Sequence, residues 1–263
     1  MPGSRQGGEP RGPTYTGRVL DASLAHPSVQ LPAAILWDMD GTLVDTEPYW
    51  IAAEAELVEA HGGSWSREDG LALVGHSLAE SAEILRSRGV DLPARQLIAS
   101  LVRQVADEVS RAVPWQPGAF ELLTALAAAD VPCALVTSSY RTMTAPLVAA
   151  APADVFGAVV AGDDVTHGKP HPEAYLRAAT LLGVDARDCV ALEDSPVGIA
   201  SAMAAGARTI GVEAMLPVAP APGLSRVATL VGLTLADLGR VARGEVLDRL
   251  TPRHETELLT SRR

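Results

Sequence analysis

Lysine is almost missing from this 263-residue chain: of its 21 basic residues, twenty are arginine and one, Lys169, is lysine. Aromatic residues are scarce at 4%, which speaks against an aromatic-rich β-sandwich, while the abundance of alanine, valine and leucine favours helices packed on a buried sheet. Positive charge is short as a whole. A formal net charge of −11 argues against a nucleic-acid or anionic-membrane binder, because such partners demand a basic face. The only two cysteines, Cys133 and Cys189, each lie in a short apolar run that reads as a buried strand. They are expected to be reduced core residues of a cytoplasmic protein. No uninterrupted apolar run reaches the roughly 18 residues of a spanning helix. The opening MPGSRQGGEPRGPTYTG has no apolar h-region, so it is expected to be a disordered arm and not a signal peptide.

The charge is unevenly placed. Residues 1–32 and 243–263 are each +1, whereas residues 33–242 hold 13 basic and 26 acidic side chains. An acidic body that handles an anionic substrate must reverse the sign locally, and a bound cation is the simplest means. The 48% hydrophobic content is ample for a packed core in one ordinary domain or two modest ones.

The apolar run Ala33–Trp37 stops at Asp38 and reads as a strand buried on both faces. Beyond it, apolar residues recur at helical spacing over 49–60, 77–88 and 94–113, separated by HGGS, GHS and GVDLP. After Pro117-Gly118 the pattern alternates: helix 118–129, strand 133–136, helix 142–150, strand 158–160, helix 172–182, strand 189–192, helix 196–205 and strand 208–212. A last strand near 228–231 and a helix from about Leu235 are expected to follow a Pro-rich loop. The fold class is therefore α/β, a Rossmann-like, doubly wound parallel sheet with an inserted all-helical unit. The expected organisation is a disordered arm over 1–32, an α/β core over 33–47 and 116–242, a helical cap over 48–115, and a charged tail over 243–263.

In an open parallel sheet, ligands bind beyond the carboxyl ends of the strands. The first strand ends in Asp38-Met39-Asp40-Gly41-Thr42, the second in Thr137-Ser138-Ser139. The third leads through Asp163-Asp164 to Gly168-Lys169-Pro170, and the fourth ends in Glu193-Asp194-Ser195. An aspartate at a strand end often does no more than cap the next helix. The whole set at matching ends is a site. Its carboxylates suit a hard cation, Mg²⁺ before Ca²⁺, since no Ca²⁺ loop pattern is present. The residues suit phosphoryl transfer through an aspartyl phosphate. A carboxylate approaching a phosphate dianion meets repulsion of about 4 kcal/mol per unit pair at about 4 Å and an effective dielectric of 20. Mg²⁺ and Lys169 can offset that repulsion, Thr137 and backbone N–H groups can donate to the phosphoryl oxygens, and Asp40 can give and take the proton.

WDMDGTLVDTEP, LVTSS, GKPHPEAY and ALEDSPVGIASAMAAG resemble the four motifs of the haloacid dehalogenase superfamily, in its subfamily with a helical cap inserted after the first motif. The resemblance covers roughly residues 33–240. It implies Asp38 as nucleophile, Asp40 as general acid and base, Thr137 as phosphoryl-binding hydroxyl and Lys169 as the charge-stabilising lysine. It also implies that Asp194 ligates Mg²⁺ beside Asp38 and the carbonyl of Asp40, with Glu193 as a further ligand. An acid at position 40 sets the chain with the phosphatases and phosphomutases of the superfamily, not its dehalogenases. The β-phosphoglucomutase-like members carry a histidine and an arginine where this chain has Trp50 and Leu78. Their loss favours a phosphatase acting on a small-molecule phosphate ester over a sugar phosphomutase, the alternative.

Substrate selection is expected from the cap, through Glu47, Trp50, His76 and Ser77, with Ser138, Tyr140 and Arg141 from the core. Bland alternatives stand beside these: Trp50 as cap core, His76 as a helix cap, Arg141 as a solvated helix-start residue. His61, His167 and His171 read as structural. Lys169 in GKP reads as a compact point charge for a crowded site, which arginine's planar fork would not replace. On the sequence alone, arginine at 169 is expected to remove most activity while leaving the melting temperature little changed.

Overall fold

A computed structural model describes residues 30–250, apart from Gly75 and Met215. Most of the arm expected over 1–32, and residues 251–263 of the expected tail, lie outside the described residues. Six strands form one parallel sheet: β1 (Ala34–Trp37), β2 (Cys133–Val136), β3 (Phe156–Val160), β4 (Cys189–Glu193), β5 (Arg208–Val212) and β6 (Ser225–Val227). Their spatial order is β3-β2-β1-β4-β5-β6. The chain builds outward from β1 through β2 to β3, then returns to the other side of β1 with β4. The β1/β4 seam is thus the topological switch point, where a doubly wound sheet opens a crevice at its carboxyl edge.

Alternation along each strand sends side chains to two separate cores. Ile35, Trp37, Leu135, Val190 and Leu192 face one layer, which includes α5 (Ala119–Ala128) and α9 (Leu235–Ala242). Ala34, Leu36, Ala134, Val136 and Ala191 face the other, where α7 (Glu173–Leu182) and α8 (Pro196–Ala204) contribute mainly alanines. Small side chains on both surfaces let the α7 and α8 backbones approach the sheet closely. That closeness later matters for Tyr175, the one aromatic side chain in this layer.

Between β1 and α5 lie only helices: α1 (Glu47–Ala60), α2 (Arg67–Leu71), α3 (Leu78–Ser87) and α4 (Ala94–Arg111). Pro48 opens α1, where its missing N–H costs nothing, and capping boxes start α2 (Ser66/Asp69) and α3 (Ser77/Glu80). α4 packs on α1 and α3 through Leu97, Leu101, Val102, Val105 and Val109, and also lies against α6 (Arg141–Ala150). No helix among the described residues is long and apolar enough to cross a membrane.

Three local expectations need correction. The short helix α2 sits in a stretch whose polar and glycine-rich spacer gave no helical period. The last strand is Ser225–Val227, three residues earlier than expected, because Ser225, Arg226 and Val227 pair with Ile210, Gly211 and Val212. Ala228–Val231 instead leads into a turn at Gly232, although Leu230 is buried. Residues 243–250 are not simply a charged tail: Arg226 donates its N–H to Leu247 O at 2.7 Å, Arg249 donates to Arg226 O at 2.8 Å, and Arg226 pairs with Asp248. The returning segment covers the open edge of β6.

One buried acid marks the helical insert. Glu54 is 5% exposed, its Oε2 has no hydrogen-bond partner, and the Trp65 indole N–H nearby is likewise unpaired. Burial first, then the charge of Glu47, raises its carboxyl to about 7, with the Trp65 indole opposing. A carboxyl whose pKa is higher in the folded state stabilises the fold at low pH, and that contribution is lost as pH rises from about 4.5 through 7. Glu54→Gln is expected to raise the melting temperature at pH 8 by about 3–6 °C, on the order of 1–2 kcal/mol, with little gain at pH 4.5. Equal shifts at both pH values in a thermal melt would rule out this account.

Candidate active site

The site is assembled at the switch point from the residues that leave β1, β2 and β4. Asp38 follows β1 directly, its N–H donating to Leu192 O of β4 at 3.0 Å. Lys169, from the loop before α7, donates to Asp38 Oδ1 at 2.6 Å, to Glu193 Oε1 at 2.6 Å and to Val136 O at 3.1 Å. Its side chain is 4% exposed. Burial lowers the affinity of this ammonium for its proton, but Asp38 and Glu193, by charge and hydrogen bond, more than reverse the effect and hold its pKa above the ordinary value.

Glu193 is saturated. Its Oε1 accepts from Lys169 and from the Tyr175 hydroxyl at 2.8 Å, while its Oε2 accepts from Asp194 N, Ser195 N and Ser195 Oγ at 3.1–3.3 Å. Five donors fill the acceptor capacity of a carboxylate. They can close around it because residue 198 is glycine: a Cβ there would lie 1.8 Å from Glu193 Oε1.

Asp194 stands beside this pair, accepting from Thr42 Oγ1 at 3.2 Å. Gly41 adopts φ 87°, and a Cβ on it would meet Asp194 Oδ2 at 2.2 Å. Only glycine permits that turn and that approach together. Asp38, Glu193 and Asp194 bring carboxylate oxygens within 4.8 Å of one another. Burial, then the charge of Glu193, raises Asp194 to about 7, with Thr42 and Lys169 opposing. The same crowding raises Asp38: burial first, then Glu193, against the pull of Lys169. Carboxylates that repel one another fit a divalent cation, which relieves the repulsion by binding, and Asp38 and Asp194 are the two members of the cluster with acceptor capacity to spare.

Asp40 is held differently. Thr46 Oγ1 donates to its Oδ1 at 2.7 Å, Ser139 Oγ to its Oδ2 at 2.7 Å, and Thr137 Oγ1 to the same oxygen at 3.4 Å. Thr137 also accepts from Ser139 N at 2.9 Å, tying the end of β2 to the same carboxylate. Motif positions from four separate segments therefore converge, as the sequence order of the strands requires.

The residues expected to face substrate divide. Glu47 is half-buried at the start of α1; burial, then the charges of Asp40 and Asp45, raises its carboxyl to about 7. Ser138 and Tyr140 are exposed, Tyr140 at 42%. Trp50 is half-buried and packs against the main core. His76 is exposed, and the cap of α3 is Ser77, not His76. Arg141 is drawn away: its guanidinium pairs with Asp164 and donates to Val159 O. His167 lies 2.8 Å from Glu173, and His61 bonds Leu57 O within its own helix, so both serve local structure.

Thr42, Thr46, Ser139 and Tyr175 were not singled out by sequence reasoning. The first three are hydroxyls inside or beside the quoted motifs, a signal that was present. Tyr175 lies six residues beyond Lys169, and only the packing of α7 on the sheet brings its hydroxyl to Glu193.

A profile of the haloacid dehalogenase-like hydrolases matches residues 35–212. The chain belongs to this family. It is 36% identical over 189 residues to protein CbbY of Rhodobacter capsulatus, covering 67% of this chain and 83% of that protein. It is 34% identical over 203 residues to hexitol phosphatase A of Escherichia coli K12, covering 68% and 82%. The crystal structure of CbbY from Rhodobacter sphaeroides in complex with phosphate superposes with a TM-score of 0.68 at 28% identity, over 77% of this chain and 96% of that one. As a haloacid dehalogenase-like hydrolase with this site, the chain is a phosphoric monoester hydrolase.

Burial of Lys169 alters one expectation. An arginine fork would have to fit where a compact ammonium meets three acceptors, so Lys169→Arg is expected to disturb the fold as well as the chemistry. Phosphatase assays should show at least a hundredfold loss, and calorimetry a melting temperature lower by several degrees. Turnover near that of the wild type would show that the compact charge is dispensable.

Proposed function

We propose that this chain is a Mg²⁺-dependent phosphatase for the phosphate monoester of a small, uncharged alcohol, acting through a phosphoryl group carried on Asp38. The observation that carries the reading is the buried contact of Asp38 with Lys169 at 2.6 Å beside an Asp40 clamped by hydroxyls. Asp38 and Asp194, with the main-chain carbonyl of Asp40, would hold the cation; Glu193 joins the acidic cluster but spends its oxygens on other donors. When bound, Mg²⁺ supplies positive charge that lets a phosphate dianion approach these carboxylates.

Asp38 attacks phosphorus, and the bond from phosphorus to the ester oxygen breaks as Asp40 delivers a proton to that oxygen. Water then attacks the phosphorus of the aspartyl phosphate while Asp40, now a carboxylate, takes a proton from that water, and cleavage of the bond between phosphorus and Asp38 releases inorganic phosphate and restores the Asp38 carboxylate. Lys169 and Thr137 meet the charge on the phosphoryl oxygens. Thr46 and Ser139 keep the Asp40 carboxylate aimed at the ester oxygen through both steps. The helical segment 48–115 acts as the cap that excludes bulk water.

Purified protein offered hexitol, other sugar and nucleotide phosphates is expected to release phosphate with Mg²⁺, to stop with EDTA, and to lose the activity in Asp38→Asn. Release from no substrate, or full turnover by Asp38→Asn, would overturn the reading.

The entrance supports a neutral alcohol as the leaving group. The Glu47 side chain makes no hydrogen bond, the charges of Asp40 and Asp45 bear on its carboxyl, and no arginine among the described residues bonds a carboxylate of the site. A second anion on the substrate would meet the repulsion of these carboxylates. Two similar proteins of Escherichia coli K12, hexitol phosphatases A and B, are named for polyol phosphates. Glu47→Gln is expected to raise kcat/KM for phosphoglycolate relative to a hexitol phosphate by about tenfold at pH 8, near 1.4 kcal/mol. Because the Glu47 carboxyl is neutral below about 7, that gain should shrink at pH 6. An unchanged ratio at pH 8 would remove Glu47 from substrate choice.

A further inference from the structure

Tyr175 is fully buried beneath the site, in a layer otherwise made mainly of alanine with a few aliphatic side chains. A phenylalanine would fill the same volume, so the hydroxyl needs its own explanation, since burying a hydroxyl is costly unless it is paired. It donates to Glu193 Oε1 at 2.8 Å, the same oxygen that receives Lys169 Nζ at 2.6 Å. Lys169 Nζ also lies 5.2 Å from the centroid of the Tyr175 ring. The phenol therefore touches both members of the pair that fixes the lysine. It touches no residue that receives the phosphoryl group.

We propose that Tyr175 is a positioning residue for Lys169, acting through Glu193. The backbone and side-chain donors of Asp194 and Ser195 fix Glu193 Oε2, and the Tyr175 hydroxyl fixes Oε1. With both oxygens immobilised, Glu193 and the carbonyl of Val136 hold two directions of the ammonium and leave the third toward Asp38. Without the hydroxyl, the carboxylate can turn about its Oε2 anchors and swing toward the neighbouring Asp38 and Asp194 cluster, taking Lys169 with it. The proposal rests on reading Lys169 as the group that meets the phosphoryl oxygens.

The composition supplies a direct probe, because protein grown on ¹⁵N-lysine has a single Nζ to report. The wild-type protein is expected to show one Nζ signal in slow exchange with solvent and with a cross-relaxation contact to the Tyr175 hydroxyl proton. Absence of that contact overturns the proposal, whether or not any variant folds. In Tyr175→Phe the Nζ protons should exchange about tenfold faster and kcat should fall about tenfold, with the Mg²⁺ activation constant changed less than twofold. In a Glu193→Gln background the same substitution should lower kcat less than twofold, because the intermediary has been altered. Unchanged exchange and kcat in folded Tyr175→Phe, or full additivity with Glu193→Gln, would overturn it. Failure of the wild-type protein to release phosphate would instead count against the hydrolase reading and leave the Nζ measurements to decide the positioning role.

Discussion

The arrangement depends on one buried ammonium shared between two buried carboxylates. Lys169 sits 2.6 Å from both Asp38 and Glu193, with 4% of its side chain exposed. Taking such ions out of water is costly, and the cost is offset only if every donor and acceptor is paired. Here Lys169 has three acceptors and Glu193 five donors, so that half of the site is electrically and sterically complete. Asp38 and Asp194 form the incomplete half. Their carboxyls are pushed upward by burial and by Glu193, so they hold anionic form poorly until further positive charge arrives. A site that is complete on one side and short of charge on the other is poised for a cation and an anion together.

The sheet makes this arrangement economical. Parallel strands deliver the first residue after each carboxyl end to one edge, so Asp38, Thr137 and Asp194 need no long loops to meet. Two close approaches then limit what may surround them. Asp194 lies against the turn at residue 41 and Glu193 against the first turn of α8, and a Cβ at Gly41 or Gly198 would fall within 2.2 Å of a carboxylate oxygen. Backbone shape and electrostatics are thus fixed by the same few atoms, because a displaced carboxylate would break both the packing and the ion pair.

The alternation of strands and helices, the helical insert and the acids at the strand ends could all be read from the sequence, because each is written in a local period or a motif. What could not be read has a common cause. Tyr175 reaches Glu193 only because alanines bring α7 close to the sheet, a contact between residues 18 apart in sequence and on different elements. Arg141 looks available in the chain, yet Asp164 and the carbonyl of Val159 claim it from across β3. Ser225–Val227 is too short to carry a period, and it is a strand because β5 on one side and residues 247–249 on the other supply its partners. Glu193 reads as one more ligand until its five donors are counted, and then it reads chiefly as the anchor of the lysine.

The near absence of lysine follows the same division between buried and exposed charge. Many of the arginines pair with acids at exposed positions, as Arg86 does with Glu83, Arg187 with Asp185 and Arg240 with Glu245. Such pairs contribute little individually, and either cation would serve there. Position 169 is different in kind. Its cation must fit between β1, β2 and β4 and present separate N–H groups to oxygens in three directions. A guanidinium is planar and would present its donors in one sheet, whereas an ammonium presents them as a tetrahedral fan. Among the described residues, the composition therefore separates exposed cations, which are arginines, from the lysine held between buried carboxylates, whose geometry excludes arginine. The acidic excess of the surrounding body strengthens the separation: the charges of Asp40 and Asp45 help push up the Glu47 carboxyl at the start of α1, and Asp38 and Glu193 close on Lys169 itself, so the one lysine lies in negative surroundings.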